Sequence, residues 1–136
     1  MTYQIGKTAT VLGVLAIVAF FSACSRATEP KESADDQASL ERVELKRVCM
    51  VNDTAFERDQ IPVKVKDVTY YGCCQMCEER LKTDQAVRLA VDPVTGDWVD
   101  KASAVVAARG DRSVLYFSSE ETLARYRRGE RHDGGE

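Results

Sequence analysis

The chain has 136 residues, 44% hydrophobic, 30% charged and 7% aromatic, which is enough for one modest domain and too little for a multidomain enzyme. Lys and Arg number 19 against 22 Asp and Glu, so a net charge of -3 offers no basic surface for nucleic acid. The five cysteines take their meaning from the compartment: bridges outside the cytoplasm, metal or redox chemistry inside it.

The amino terminus addresses that compartment. An apolar run from Ala9 to Ala23, preceded by Lys7, has the length of a secretory leader and is short for a membrane-spanning helix. It ends Phe20-Phe21-Ser22-Ala23-Cys24-Ser25, which resembles a bacterial lipobox with Cys24 as the lipidated first residue of the mature chain. The resemblance implies a signal peptide over 1–23 and a diacyl anchor on Cys24 in place of a transmembrane helix. With Ser25 rather than Asp next, it also implies sorting to the outer membrane, facing the periplasm of a Gram-negative envelope. Residues 25–39 hold almost no large apolar side chain, so 24–39 is expected to be a flexible tether. Residues 129–136 have the same character and are expected to form a disordered tail; the only histidine, His132, lies there and is left out of any site.

The domain is expected over 40–128. Val43, Leu45, Val48 and Val51 make an extended or mixed segment leading into Cys49. Ile61–Val65 alternates apolar and polar residues, Asp67 offers a turn, and Val68–Tyr71 is β-branched and aromatic, which predicts a β-hairpin ended by Gly72. Good helix formers follow from Cys74, with Glu78 and Glu79 near the helix start. Ala86, Val87, Leu89 and Ala90 predict a short second helix, closed off by Pro93 and Gly96 before Trp98-Val99, after which Asp100 can cap a turn. Val105–Ala107 and Val114–Phe117 flank Arg109–Arg112 as a second hairpin, and Ser118 to Glu121 has the spacing of a capping box ahead of a helix stopped by Gly129. Trp98 and Phe117 are expected in the core. The fold class is therefore α+β, with two halves in the same strand-strand-helix order.

Four cysteines remain beyond Cys24. Cys49 precedes the first hairpin, Cys73 and Cys74 stand in the turn into the helix, and Cys77 lies one turn further on. Unpaired backbone N–H groups at a helix start favour thiolates, and clustered thiolates suit Cu(I) or Zn. Met50 and Met76 add thioethers of use to copper more than zinc.

Cys49, an intervening hairpin ending Tyr70-Tyr71-Gly72-Cys73, then Cys77, together resemble the TRASH domain and its YHS relatives, small treble-clef-like metal-binding modules, over about residues 46–84. The resemblance implies Cys49, Cys73 and Cys77 as metal ligands, with Cys74 an extra thiol able to replace Cys73. Met50-Val51-Asn52-Asp53 lacks the partner ligand usual after the first cysteine. Asp92–Asp100, with Thr95 where YHS modules often carry cysteine, and Tyr116–Glu121 resemble parts of YHS and NosL-type copper lipoproteins, so the second half is expected to support the first.

The expected function is extracytoplasmic, lipid-anchored binding of Cu(I) or Zn through Cys49, Cys77 and one or both of Cys73 and Cys74, with Met50 and Met76 as further candidates. Trafficking, buffering or resistance is the expected task, with a metal-donor or metal-acceptor protein as partner and no enzymatic step. Two alternatives stand beside it. Four thiols in an oxidising space can form two structural disulfides, although adjacent Cys73 and Cys74 cannot easily bond each other. Cys74-Gln75-Met76-Cys77 at a helix start has the C-x-x-C form of thiol-disulfide oxidoreductases, without the longer βαβ frame those need.

Overall fold

The computed structural model describes residues 39–132; the apolar leader, Cys24 and almost all of the tether lie outside the described residues, as do 133–136. Strands β1 (Glu41–Arg42), β2 (Val48–Cys49) and β3 (Thr54–Ala55) come first, with a 3-10 turn at Leu45–Arg47. The hairpin β4 (Ile61–Val65) and β5 (Val68–Gly72) leads into helix α1 (Gln75–Thr83). A 3-10 turn at Ala86–Arg88 precedes the ribbon β6 (Leu89–Val91) and β7 (Trp98–Asp100). The second hairpin, β8 (Val105–Ala108) and β9 (Val114–Phe117), leads into helix α2 (Glu120–Arg127). The fold is α+β, as the sequence pattern predicts, and among the described residues no helix is long and apolar enough to cross a membrane.

All strand pairs are antiparallel: β2 with β3, β4 with β5, β6 with β7, and a three-stranded sheet in the order β1-β8-β9. Alternation lets that sheet serve two cores. Val106, Ala108, Val114 and Tyr116 face a core completed by Val48, Met50, Val63, Tyr70 and Leu81, whereas Ala107 and Phe117 join Leu40, Val94, Leu123 and Tyr126 under α2. The ring of Tyr126 meets Phe117 edge-on at 5.4 Å.

Three expectations need correction. The stretch 86–90 is not a helix: Asp84 accepts the Ala86 N–H, one 3-10 turn forms, and Leu89–Val91 then pairs with Trp98–Asp100. Trp98 is 71% exposed, because β7 belongs to a narrow two-stranded ribbon and faces Val91, itself exposed; Phe117 is fully buried as expected. The cap of the last helix is Ser119, paired with Thr122 in the capping box, because Ser118 is taken by Asp92. Of the expected tail, residues 129–132 are described and tied back: Arg125 binds Glu130, Arg131 lies over the Tyr126 ring, and His132 donates its backbone N–H to the Pro93 carbonyl. Gly96, at φ +77, lies under the exposed His132 ring, where a Cβ would sit 2.8 Å from the imidazole.

Candidate metal centre

Cys49 ends β2 where the chain enters a tight turn over Met50–Asp53, and Asp53 takes a left-handed φ of 50°, a conformation aspartate tolerates. Other parts of the fold pin this turn. The Met50 N–H donates to the Tyr71 carbonyl of β5, and the Val114 N–H of β9 donates to the Asp53 carbonyl. Lys101, 4% exposed, donates its ammonium to the Met50 carbonyl at 2.8 Å and to Asp53 Oδ1 at 2.6 Å, and lies 5.0 Å from the Tyr116 ring centre. The Tyr116 hydroxyl donates to the same Asp53 oxygen. The second half of the domain thus holds the turn that presents Cys49.

The other thiols come from the β5-to-α1 junction. Cys74 is the helix N-cap, which puts Cys77 on the first turn with its side chain facing back toward Cys73. Gly72 makes the approach possible: a Cβ there would sit 3.0 Å from the Cys77 Cβ, tighter than ordinary packing. Strand alternation divides the two tyrosines, with Tyr70 buried and Tyr71 half-buried. The Tyr70 hydroxyl donates to Asp100 at 2.8 Å, and burial together with that carboxylate raises its pKa to about 12.

The sulfurs of Cys49, Cys73 and Cys77 all lie within 4.8 Å of one another. Cys77 Sγ is the hub, 3.8 Å from Cys49 Sγ, 3.6 Å from Cys73 Sγ and 3.5 Å from Cys74 Sγ. Cys74 stands outside the compact three-sulfur group. All four are free thiols, graded in exposure: Cys49 and Cys77 buried, Cys73 half-buried, Cys74 exposed. Met50 is fully buried in the core, and Met76 is 73% exposed on α1. Asn52 donates its side-chain amide to Cys73 Sγ at 3.5 Å.

Electrostatics divide the thiols. Burial pushes the Cys49 thiol up, but the Asn52 amide, the Cys73 thiol and the Val51 and Cys73 amides outweigh it and leave the group below its ordinary range. Cys74 is also lowered, chiefly by the Cys77 amide and thiol. Burial raises Cys73, and burial together with the surrounding thiols pushes Cys77 up to about 12. A cation held by Cys77 and Cys73 would therefore have to displace protons, so its affinity would rise with pH.

The spacing suits a metal. With metal–sulfur bonds of about 2.3 Å, ligand sulfurs stand about 3.8 Å apart in a tetrahedral site and about 4.0 Å apart in a planar three-coordinate one. Sulfur is only a weak hydrogen-bond partner for sulfur, so three thiols brought this close can hold a soft cation far better than one another. Residue-type reasoning found all four thiols but missed Asn52, Asp53, Lys101 and Tyr116. Of these only Asn52 left a signal, standing three residues after Cys49 where a C-x-x-C pair would place its second ligand. Comparison with protein-family models, curated proteins and solved structures gives no match for this chain.

Proposed function

We propose that this protein binds a soft transition-metal ion, Cu(I) first and Zn second, at Cys49, Cys73 and Cys77, and that it buffers the ion or hands it on without making or breaking covalent bonds in a substrate. The observation that carries this reading is the convergence of those three sulfurs within 4.8 Å, contributed by two separate elements. Three protein ligands leave a coordination position for an incoming thiol or thioether, which favours exchange over permanent storage. The turn-hairpin-helix order from Cys49 to Cys77 supports the resemblance to TRASH and YHS modules and their treble-clef-like build. The lipobox-like Phe21-Ser22-Ala23-Cys24 supports a lipid-anchored protein of the bacterial envelope, handling metal in the periplasm with a donor or acceptor protein.

The test is anaerobic loading of the full chain with Cu(I) or Zn(II), followed by elemental analysis beside the Cys49→Ser/Cys77→Ser double variant. The reading expects about one ion per wild-type chain and a near-empty double variant. Equal metal in both contradicts it. Non-reducing mass spectrometry after alkylation reports on the disulfide alternative: two bridges in metal-loaded protein would favour a purely structural role for the cysteines.

A further inference from the structure

We propose that Cys74 is the exchange ligand of this centre, the thiol through which the ion arrives and leaves, while Cys49, Cys73 and Cys77 retain it; this rests on the metal-binding reading above. Two observations separate Cys74 from the other three. It is the exposed sulfur of the cluster and lies outside the compact group, yet only 3.5 Å from Cys77, the sulfur that all the others approach. It is also only weakly engaged by its helix: the Cys77 amide faces the sulfur but closes no cap hydrogen bond. Cys74 at φ −157°, ψ 171° closes no side-chain cap hydrogen bond, whereas Ser119, at the start of α2 with φ −158°, ψ 168°, accepts the Thr122 N–H. The same N-cap conformation thus carries a firmly bonded oxygen in one place and a weakly engaged sulfur in the other.

The chemistry is stepwise ligand exchange with no change in oxidation state. A donor presents the ion on its own soft ligands; the Cys74 thiolate forms a metal–sulfur bond as one donor–metal bond breaks. Cys77, next in reach, forms the second bond as another donor bond breaks, and its proton passes to water or to the departing donor ligand. Cys73 and then Cys49 complete the retaining set, each giving up to water any proton it carries, the last donor bond breaking as the first of these forms and the Cys74 bond breaking as the second forms. Release runs the same steps in reverse, so Cys74 speeds both directions equally and leaves the affinity to the other three.

The test uses the full chain, Cys74→Ser, loaded with Cu(I) from a glutathione complex. Ser119 already shows that serine caps a helix at this backbone conformation, and far-UV circular dichroism checks that it does so here. Removal of Cu(I) by excess bicinchoninate is followed by stopped-flow absorbance. Cys74→Ser is expected to carry the wild-type load and to transfer it at least about tenfold more slowly, a barrier increase of about 1.4 kcal/mol. Cys73→Ser is expected to lose the load itself. A smaller slowing in Cys74→Ser overturns the proposal, as does a Cys74→Ser chain that no longer holds the ion, which would make Cys74 a retaining ligand with the metal centre intact. Wild type that takes up no Cu(I) overturns the centre and this proposal together.

Discussion

Two junctions in this chain turn a hairpin into a helix through N-caps of nearly the same backbone conformation, and different chemistry closes them. At β5-to-α1 the sequence is Gly72-Cys73-Cys74-Gln75-Met76-Cys77; at β9-to-α2 it is Phe117-Ser118-Ser119-Glu120-Glu121-Thr122, so each thiol has a hydroxyl in its place. The third partner corresponds too. Cys49 reaches the first junction from the β2–β3 turn, and Asp92 reaches the second from the β6–β7 turn, its carboxylate accepting the Ser118 N–H at 2.7 Å, the Ser118 hydroxyl at 2.8 Å and the Val94 N–H at 2.8 Å. The fully buried Asp92 is satisfied by these bonds, and no buried side-chain nitrogen or oxygen lacks a partner among the described residues. Oxygen chemistry closes its junction from within, whereas the sulfurs of the other can hold a cation. The second junction thus serves stability, and the first is the one the proposed function uses for binding.

The largest effect that would break this division is at the hub of the first junction. Cys77→Ser should weaken Cu(I) binding by about a thousandfold, roughly 4 kcal/mol, while the metal-free chain unfolds within about 1 kcal/mol of wild type, because Thr122 shows that this position accepts a hydroxyl. Competition with a Cu(I) chelator and urea unfolding measure the two. The reverse outcome belongs to Asp92→Ala: about 3 kcal/mol lost in urea with the ion still bound, since the Ser118 and Val94 donors lose their acceptor. Burial raises the Asp92 carboxyl, but the Ser118 and Val94 amides and the Ser118 and Thr122 hydroxyls outweigh it and hold the group below its ordinary range. Its contribution is therefore complete above the unfolded carboxylate value of about 3.9 and fades as the pH falls through the depressed folded value. An Asp92→Asn chain should lack that part of the acid-side loss in urea titrations across pH.

A smaller change sharpens the contrast. Asn52→Cys adds a thiol three residues after Cys49 and beside Cys73, and should raise Zn(II) affinity relative to Cu(I) by about tenfold by completing a four-sulfur set. Unchanged Zn(II)/Cu(I) competition would place the Asn52 side chain away from the ion. The smallest effect is expected outside both junctions: Trp98→Ala should alter urea stability by less than about 0.5 kcal/mol, because the ring is 71% exposed.

Legibility in the sequence followed the strength of local signals. Alternation in Ile61–Val65 and β-branched or aromatic runs flanking turns marked the two hairpins, and Cys74 and Gly129 marked the start of α1 and the end of α2 to within a residue or two. The thiol cluster was visible because cysteines at a helix start, with another before a hairpin, have few purposes. What escaped notice depends on contacts distant in sequence. Lys101, in a polar stretch, is buried because Met50 and Asp53, about fifty residues earlier, supply its acceptors. Ser118 was misread as a cap because the competing carboxylate, Asp92, lies 26 residues away. The correspondence of three thiols with three hydroxyls is plain only when the two junctions are aligned by backbone, since little else in the two halves matches.

X-ray absorption at the metal edge of the Cu(I)-loaded full chain tests the central claim most directly. The account predicts a shell of about three sulfurs at about 2.3 Å, reduced by roughly one sulfur in Cys49→Ser. A shell made of nitrogen or oxygen, or one that Cys49→Ser leaves unchanged, would contradict it.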